Sequence, residues 1–171
     1  MRGARGEGRF TTREMIEAGE RLNRAGGRMG RRERHAVRDV DREAALARAE
    51  RRGLVLSGEQ ADALAHVTDG RDLSVMVGHA GTGKSAMLGV AREAWEAAGY
   101  EVRGVALSGI AADNLARGSG IASRTLARLE PGWAPGRDLP TAPAVLAIQD
   151  AGLGGTRPLR PVRLPRAPRA P

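Results

Sequence analysis

A glycine-rich loop that contains the chain's single lysine constrains the fold more than any other feature. Residues 78–85 (GHAGTGKS) match the pattern G-x-x-x-x-G-K-[ST], after an apolar run at residues 73–77 and before a segment with helical periodicity. In that setting backbone N–H groups close around a phosphate, and the helix N-terminus adds a favourable dipole. Every other basic side chain is arginine, so the retained Lys84 argues for a specific role.

The pattern predicts a nucleoside triphosphate site of the Walker A type. Lys84 is expected to reach the β- and γ-phosphates, and the Ser85 hydroxyl is placed for Mg²⁺. His79 either lies near the phosphates or faces solvent. The other residues expected to surround the phosphates are Gly78, Ala80, Gly81, Thr82 and Gly83.

Composition excludes several classes of protein. The chain of 171 residues has no cysteine, which rules out disulfides and thiolate metal sites. No apolar run of about 18 residues occurs, so we expect no membrane span and a cytoplasmic location. The net charge of +8 is concentrated outside the loop region, because residues 1–53 and 157–171 carry the excess of arginine.

The changes in charge and composition along the chain divide it into three predicted segments. Residues 1–53 form a basic helical segment, residues 54–156 a partial P-loop domain, and residues 157–171 a disordered Arg/Pro tail. The predicted helices cover residues 11–25, 36–52, 57–68, 84–98, 108–117 and 123–129, and the predicted strands cover residues 73–77, 101–107 and 144–148. We expect an α/β fold: a parallel, RecA-like P-loop NTPase sheet with flanking helices and right-handed crossovers, preceded by two helices.

Several stretches beyond the loop resemble a known family. They are FTTREM at residues 10–15, LSGEQ at 56–60, VALSGIAA at 105–112 and GIASRTL at 120–126. In this order they resemble the start of the helicase part of TraA-type conjugative relaxases, whose motor is a RecD-like superfamily 1 helicase. The resemblance implies a motor that hydrolyses ATP to move along and unwind DNA during plasmid transfer. It implies single-stranded DNA, and other transfer proteins, as partners.

The resemblance also implies roles for individual residues. Gln60 matches the glutamine that recognises adenine and would select ATP, although Ser57 and Gln60 also form a capping-box pattern. Ser108 and Gly109 match a motif that contacts single-stranded DNA, and Thr125 matches the next DNA-side motif. For these three residues, helix capping and tight packing are the alternatives.

The chain departs from the family at the end of the third predicted strand. The family has an aspartate that orders Mg²⁺ and a glutamate that polarises water, where this chain has Gln149 and Asp150. Either Gln149 takes the metal-side position and Asp150 is a shortened base, or the alignment slips by one and Asp150 is the metal-side carboxylate. Both alternatives predict weak hydrolysis or none.

The expected continuation of the helicase does not follow residue 159, where the Arg/Pro composition begins. This change is typical of a frameshift or a truncated gene end. The favoured interpretation is an ATP-binding fragment of a conjugative relaxase/helicase. The alternatives are a noncatalytic, basic nucleic-acid-binding fragment and a decayed gene product whose domain packs incompletely.

Overall fold

The computed structural model describes residues 13–79, 81–133 and 143–149. Within these ranges the chain forms a parallel sheet flanked by helices, as predicted for a partial P-loop NTPase. The elements in chain order are α1 (Arg13–Met29), α2 (Asp39–Arg51), α3 (Gly58–Val67), α4 (Lys84–Ala97), β1 (Glu101–Ala106), α5 (Gly109–Ser119), β2 (Ser123–Thr125), α6 (Leu126–Trp133) and β3 (Ala144–Gln149).

The sheet has the strand order β2-β1-β3, with both neighbours parallel to the central β1. Residue pairing places Ala106 of β1 beside Thr125 of β2 and Gln149 of β3. Because carboxyl ends of parallel strands share one edge of a sheet, the last residues of all three strands lie at the same edge. Functional residues in open α/β sheets are found at this edge.

The main core lies where α4 packs against α2, α3 and the central strand β1. α4 contributes the largest share of buried side chains, because apolar residues recur along it at helical spacing. Members of this cluster that are almost fully buried include Leu64, Met87, Val90, Trp95 and Ile121. The helix that follows the glycine loop is therefore held by the best-packed part of the molecule.

The two N-terminal helices differ in how they pack. None of the α1 side chains is buried by the described residues, whereas α2 buries Ala45 and Ala49 against α4. Glu93 of α4 reinforces this contact by accepting hydrogen bonds from Arg48 at 3.0 Å and Arg52 at 2.6 Å. α2 thus shares a core with α4, the helix that follows the glycine loop. The division of the chain into segments at residue 53 stays a prediction.

The predicted strand at residues 73–77 is wrong for the described structure, since none of these residues pairs in a sheet. The stretch just before it is anchored: Glu33 and Arg71 form an isolated antiparallel bridge, and Asp72 donates its N–H to the Arg32 carbonyl at 2.9 Å. Beyond that anchor, no described strand offers its backbone groups to residues 73–77. Leu73, Val75 and Val77 are consequently exposed, while Met76 packs on the core.

The predicted helix at residues 123–129 is wrong at its start. Ser123 does not cap a helix but lies in β2, opposite Gly104 of β1, and α6 begins only at Leu126. A side chain at position 104 would collide with the Ser123 hydroxyl, so this glycine lets the two strands approach. The Ser123 hydroxyl instead donates to the Ile121 carbonyl at 2.8 Å.

Two helix boundaries also differ from the predictions. α1 continues through Gly26 and Gly27, which were expected to end it, and reaches Met29. Two glycines lower helix propensity without forcing a stop. α2 begins at Asp39 rather than near residue 36, because Val37 donates its N–H to the Thr68 carbonyl at 3.2 Å in an extended stretch.

The predictions for the chain ends and for residues 134–142 lie outside the described residues. This applies to Thr11 of the first predicted cap and to the Arg/Pro tail at residues 157–171. Among the described helices, none is both long enough and apolar enough to span a bilayer.

Candidate nucleotide-binding site

The glycine loop lies directly before α4, whose first residue is Lys84. Gly81 has φ +80° and Gly83, the residue before the helix, has φ +73°. These left-handed conformations favour glycine, because a Cβ would clash with the backbone. The two glycines therefore form the turn that precedes the N-terminus of α4. Ala80 of the same loop lies outside the described residues.

Lys84 bends back over its own loop in this structure. Its Nζ donates to the Gly78 carbonyl at 2.6 Å and the His79 carbonyl at 2.5 Å, and it lies 3.4 Å from the Thr82 hydroxyl. The Thr82 hydroxyl in turn donates to the His79 carbonyl at 2.9 Å. The ammonium group thus marks the centre of the loop, with carbonyl oxygens around it.

Gln60 connects the loop to the N-terminus of α3. Its Oε1 accepts the N–H of Ser57 at 2.9 Å, and the Ser57 hydroxyl accepts the N–H of Gln60 at 3.3 Å, which completes the capping box. Its Nε2 donates to the Thr82 carbonyl at 3.0 Å. One side chain therefore performs the capping predicted from the sequence and also contacts the glycine loop.

The residues assigned to DNA contact by resemblance lie at the carboxyl edge of the sheet. Thr125 ends β2, while Ser108 and Gly109 follow the end of β1. The Ser108 hydroxyl caps α5 by accepting the N–H of Ala111 at 3.2 Å, and Ser108 and Gly109 are exposed. The capping alternative for Ser108 is confirmed, and DNA contact remains a prediction.

Comparison with known proteins decides the family of this chain. The AAA domain family matches residues 55–163, a stretch that begins before Gln60 and includes the whole glycine loop. The chain belongs to the AAA domain family. No solved structure gives a significant match to it.

The AAA-domain chain is also similar to proteins of conjugal transfer. It is 40% identical over 155 residues to a probable conjugal transfer protein TraA of Sinorhizobium fredii, covering 91% of this chain and 14% of that protein. It is 41% identical over 145 residues to a conjugal transfer protein TraA of Rhizobium radiobacter, covering 85% and 13%. The corresponding protein of Agrobacterium fabrum is 38% identical over 145 residues. These matches confirm the TraA resemblance, and the chain spans about one seventh of the length of these relatives.

An AAA domain implies a nucleotide, typically bound with Mg²⁺, and the oxygen donors of this chain fit that ion. Ser85 follows Lys84 in the first turn of α4, and its hydroxyl has no hydrogen-bond partner among the described residues. Gln149 ends β3, and its Oε1 is buried without a hydrogen-bond partner in the described ranges. Hydroxyl and amide oxygens suit a hard cation such as Mg²⁺ or the water molecules it retains. Asp150 lies outside the described residues.

Proposed function

We propose that this chain binds ATP with Mg²⁺ at residues 78–85, as the nucleotide-binding part of a DNA-processing ATPase of conjugal transfer. The observation that carries the proposal is Lys84 at the N-terminus of α4, inside a loop turned by Gly81 and Gly83. Phosphate oxygens would take the place of the loop carbonyls around the Lys84 ammonium, and the helix dipole would add to their binding. When bound, Mg²⁺ would screen the negative charge of the phosphates.

We infer that hydrolysis by this chain alone is weak or absent. The Gln149 side-chain oxygen is buried without a hydrogen-bond partner among the described residues, and a neutral amide would supply no negative charge beside Mg²⁺. Asp150 is one methylene shorter than the glutamate expected as a base, so its carboxylate would lie farther from an attacking water. Substituting Gln149→Asp together with Asp150→Glu should raise phosphate release above that of the unsubstituted chain, and unchanged release would contradict the inference.

The adenine contact is proposed for Gln60. The Gln60 side-chain amide already contacts the glycine loop, because its Nε2 donates to the Thr82 carbonyl. If the amide gave up this hydrogen bond to bind the edge of adenine, base recognition would be linked to the phosphate loop. Ser57 offers a matched control, since Ser57→Ala removes the reciprocal cap but leaves the Gln60 amide. Gln60→Ala should weaken ATP binding by about 5-fold, the equivalent of one hydrogen bond, and leave GTP unchanged.

The central test is a titration of the chain with fluorescent ATP in the presence of Mg²⁺. Lys84→Ala should reduce the affinity by about 30-fold or more, because a charge-assisted contact to phosphate contributes about 2 kcal/mol or more. Arg51→Ala on α2 removes one positive charge from a different helix and serves as the control. An ATP affinity that Lys84→Ala leaves unchanged would refute the proposal. So would an unsubstituted chain that binds no ATP.

A second candidate function is supported by a basic cleft at the end of α1. Asn23, Arg24, Gly27, Arg28 and Arg31 line this shallow cleft, and α1 packs little of its surface against the described residues. Three arginines on one open surface suit the phosphates of single-stranded DNA.

Salt dependence separates the two candidates. Replacing Arg24, Arg28 and Arg31 by alanine should reduce the slope of log affinity for single-stranded DNA against log salt by about two, if each contacts one phosphate. Lys84→Ala should leave that slope unchanged. An identical slope in the triple variant would exclude the α1 cleft as the DNA site and direct attention to residues 157–171.

A further inference from the structure

Gly118 of α5 lies against Ser85 of α4, whose hydroxyl is one of the oxygen donors proposed for Mg²⁺. A Cβ at position 118 would stand 2.6 Å from the Ser85 Cβ and 3.2 Å from its hydroxyl oxygen. A carbon–carbon separation of 2.6 Å is far inside van der Waals contact, and the Ser85 Cβ is fixed to the helix backbone. No rotamer of Ser85 relieves such a clash, so a side chain at position 118 would displace one helix from the other.

The end of α5 is fixed in its place on α4 and cannot easily yield. A Cβ at Gly89 of α4 would stand 3.2 Å from the Ser119 carbonyl oxygen, and Arg92 Nε donates to that oxygen at 3.2 Å. The buried Ser119 hydroxyl donates to the Leu115 carbonyl at 2.6 Å and accepts the N–H of Ile121 at 3.2 Å. A side chain at position 118 would therefore shift Ser85 and the first turn of α4 rather than the end of α5.

We propose that Gly118 is a positioning residue for the Ser85 hydroxyl, and through it for the Mg²⁺ that accompanies bound nucleotide. The inference rests on the proposed function, since it assigns Ser85 to that ion. Gly118 contacts neither phosphate nor metal in this scheme. It leaves room for Ser85 to sit close to α5, and the close contact holds the hydroxyl at the N-terminus of α4.

Gly118→Ala distinguishes this role from ordinary helix energetics. Gly118 lies inside α5, where helix propensity alone predicts that alanine stabilises the helix. The contact with Ser85 predicts the opposite sign and a specific defect in the use of metal. Gly19 lies inside α1 and has open space around its Cβ position, so Gly19→Ala is the matched control for a glycine-to-alanine change within a helix.

The experiment measures fluorescent ATP affinity with Mg²⁺ and with a chelator in its place. Gly118→Ala should weaken ATP binding about 10-fold with Mg²⁺, as does the loss of a residue that positions a metal ligand. With the chelator, the same substitution should weaken ATP binding less than about 2-fold. Gly19→Ala should change neither value. In a Ser85→Ala background, Gly118→Ala should cause no further loss of the Mg²⁺ effect, because the ligand is already gone.

An equal loss with and without Mg²⁺, or no loss, would overturn the inference while leaving nucleotide binding intact. If the unsubstituted chain binds no ATP, the proposed function fails first and the inference with it. Should Gly118→Ala fail to fold, a double variant with Ser85→Gly removes the colliding Cβ. Recovery of folding would place the clash at Ser85 as proposed, and a double variant that stays unfolded would refute it.

Discussion

Two short segments of this chain, each with two valines, have contrasting surroundings. β1 (Glu101–Ala106) lies between two parallel strands under α4 and α5, and its Val105 is 2% exposed. Residues 73–77 (LSVMV) are more apolar than β1 and lead into the glycine loop, yet Val77 is 92% exposed and the run pairs with no described strand. Apolar, β-branched composition therefore does not make a strand without backbone partners on its flanks.

The difference also shows how the loop is held. On its C-terminal side, the loop continues into α4, which is packed against α2, α3 and α5. On its N-terminal side, the backbone that leads to the loop is paired at residues 71–72 with the connector at residues 32–33, and residues 73–77 after that anchor pair with no described strand. The lysine and serine thus occupy the firmly packed half of the site, while Gly78 belongs to the loosely held half.

A matched pair of valine substitutions gives the largest expected contrast. Val105→Ala should lower the free energy of unfolding by about 2–3 kcal/mol, from lost burial and the cavity left behind. Val77→Ala should change it by less than about 0.5 kcal/mol, because the side chain is already in water. Urea unfolding followed by circular dichroism measures both. Equal losses would show that residues 73–77 pack in solution as β1 does.

The ion pair between α2 and α4 gives the next largest effect. Burial raises the pKa of Glu93, but the hydrogen bonds and charges of Arg48 and Arg52 outweigh burial, so the pKa lies below its ordinary value. Glu93→Gln should lower the free energy of unfolding by about 1–2 kcal/mol at neutral pH. Urea unfolding at several pH values measures this loss.

The pH dependence of Glu93 has a definite sign. A lowered pKa contributes stability above the ordinary glutamate value, about 4.3, and that stability is lost as pH falls through the lowered value. Unfolding of the Glu93→Gln variant should therefore depend less on pH in the acid range than unfolding of the unsubstituted chain. Identical acid profiles would show that the pair is not formed in solution.

The anchor before residues 73–77 should give the smallest effect on global stability. The hydrogen bond from Arg34 is the main cause of the lowered pKa of Asp72, opposed by burial and assisted by His35. Asp72→Asn should cost less than about 1 kcal/mol, because Arg34 is exposed. Its main effect should be faster amide hydrogen exchange at residues 34, 35 and 72, whose N–H groups donate within this anchor, with β1 unchanged. Faster exchange in β1 as well would mean that the anchor and β1 unfold together.

Local patterns in the sequence predicted the parts of the site that depend on near neighbours. The capping box of Ser57 and Gln60, the Ser108 cap and the start of α4 at Lys84 are interactions across three or four residues, and all are present. The family resemblance is likewise confirmed by the TraA matches.

What the sequence did not predict depends on distant neighbours. The position of Ser123 in β2 requires Gly104 across the sheet, and the unpaired state of residues 73–77 depends on which strands lie beside them. The contact between Ser85 and Gly118 joins two helices far apart along the chain. Its one sequence signal is the pair Gly118 and Gly120 around Ser119, and the same signal is typical of any helix end.

The hydrogen bonds from Lys84 to the Gly78 and His79 carbonyls place loop carbonyl oxygens around the ammonium, where phosphate oxygens would otherwise bind. A triphosphate bound as proposed would compete with these carbonyl oxygens for the ammonium, so the heat released on binding would report a difference between two sets of hydrogen bonds. Nucleotide binding would then be less exothermic than a count of new phosphate contacts suggests. The same exchange would free the two carbonyls, and the entrance to the loop would rearrange as the ligand enters.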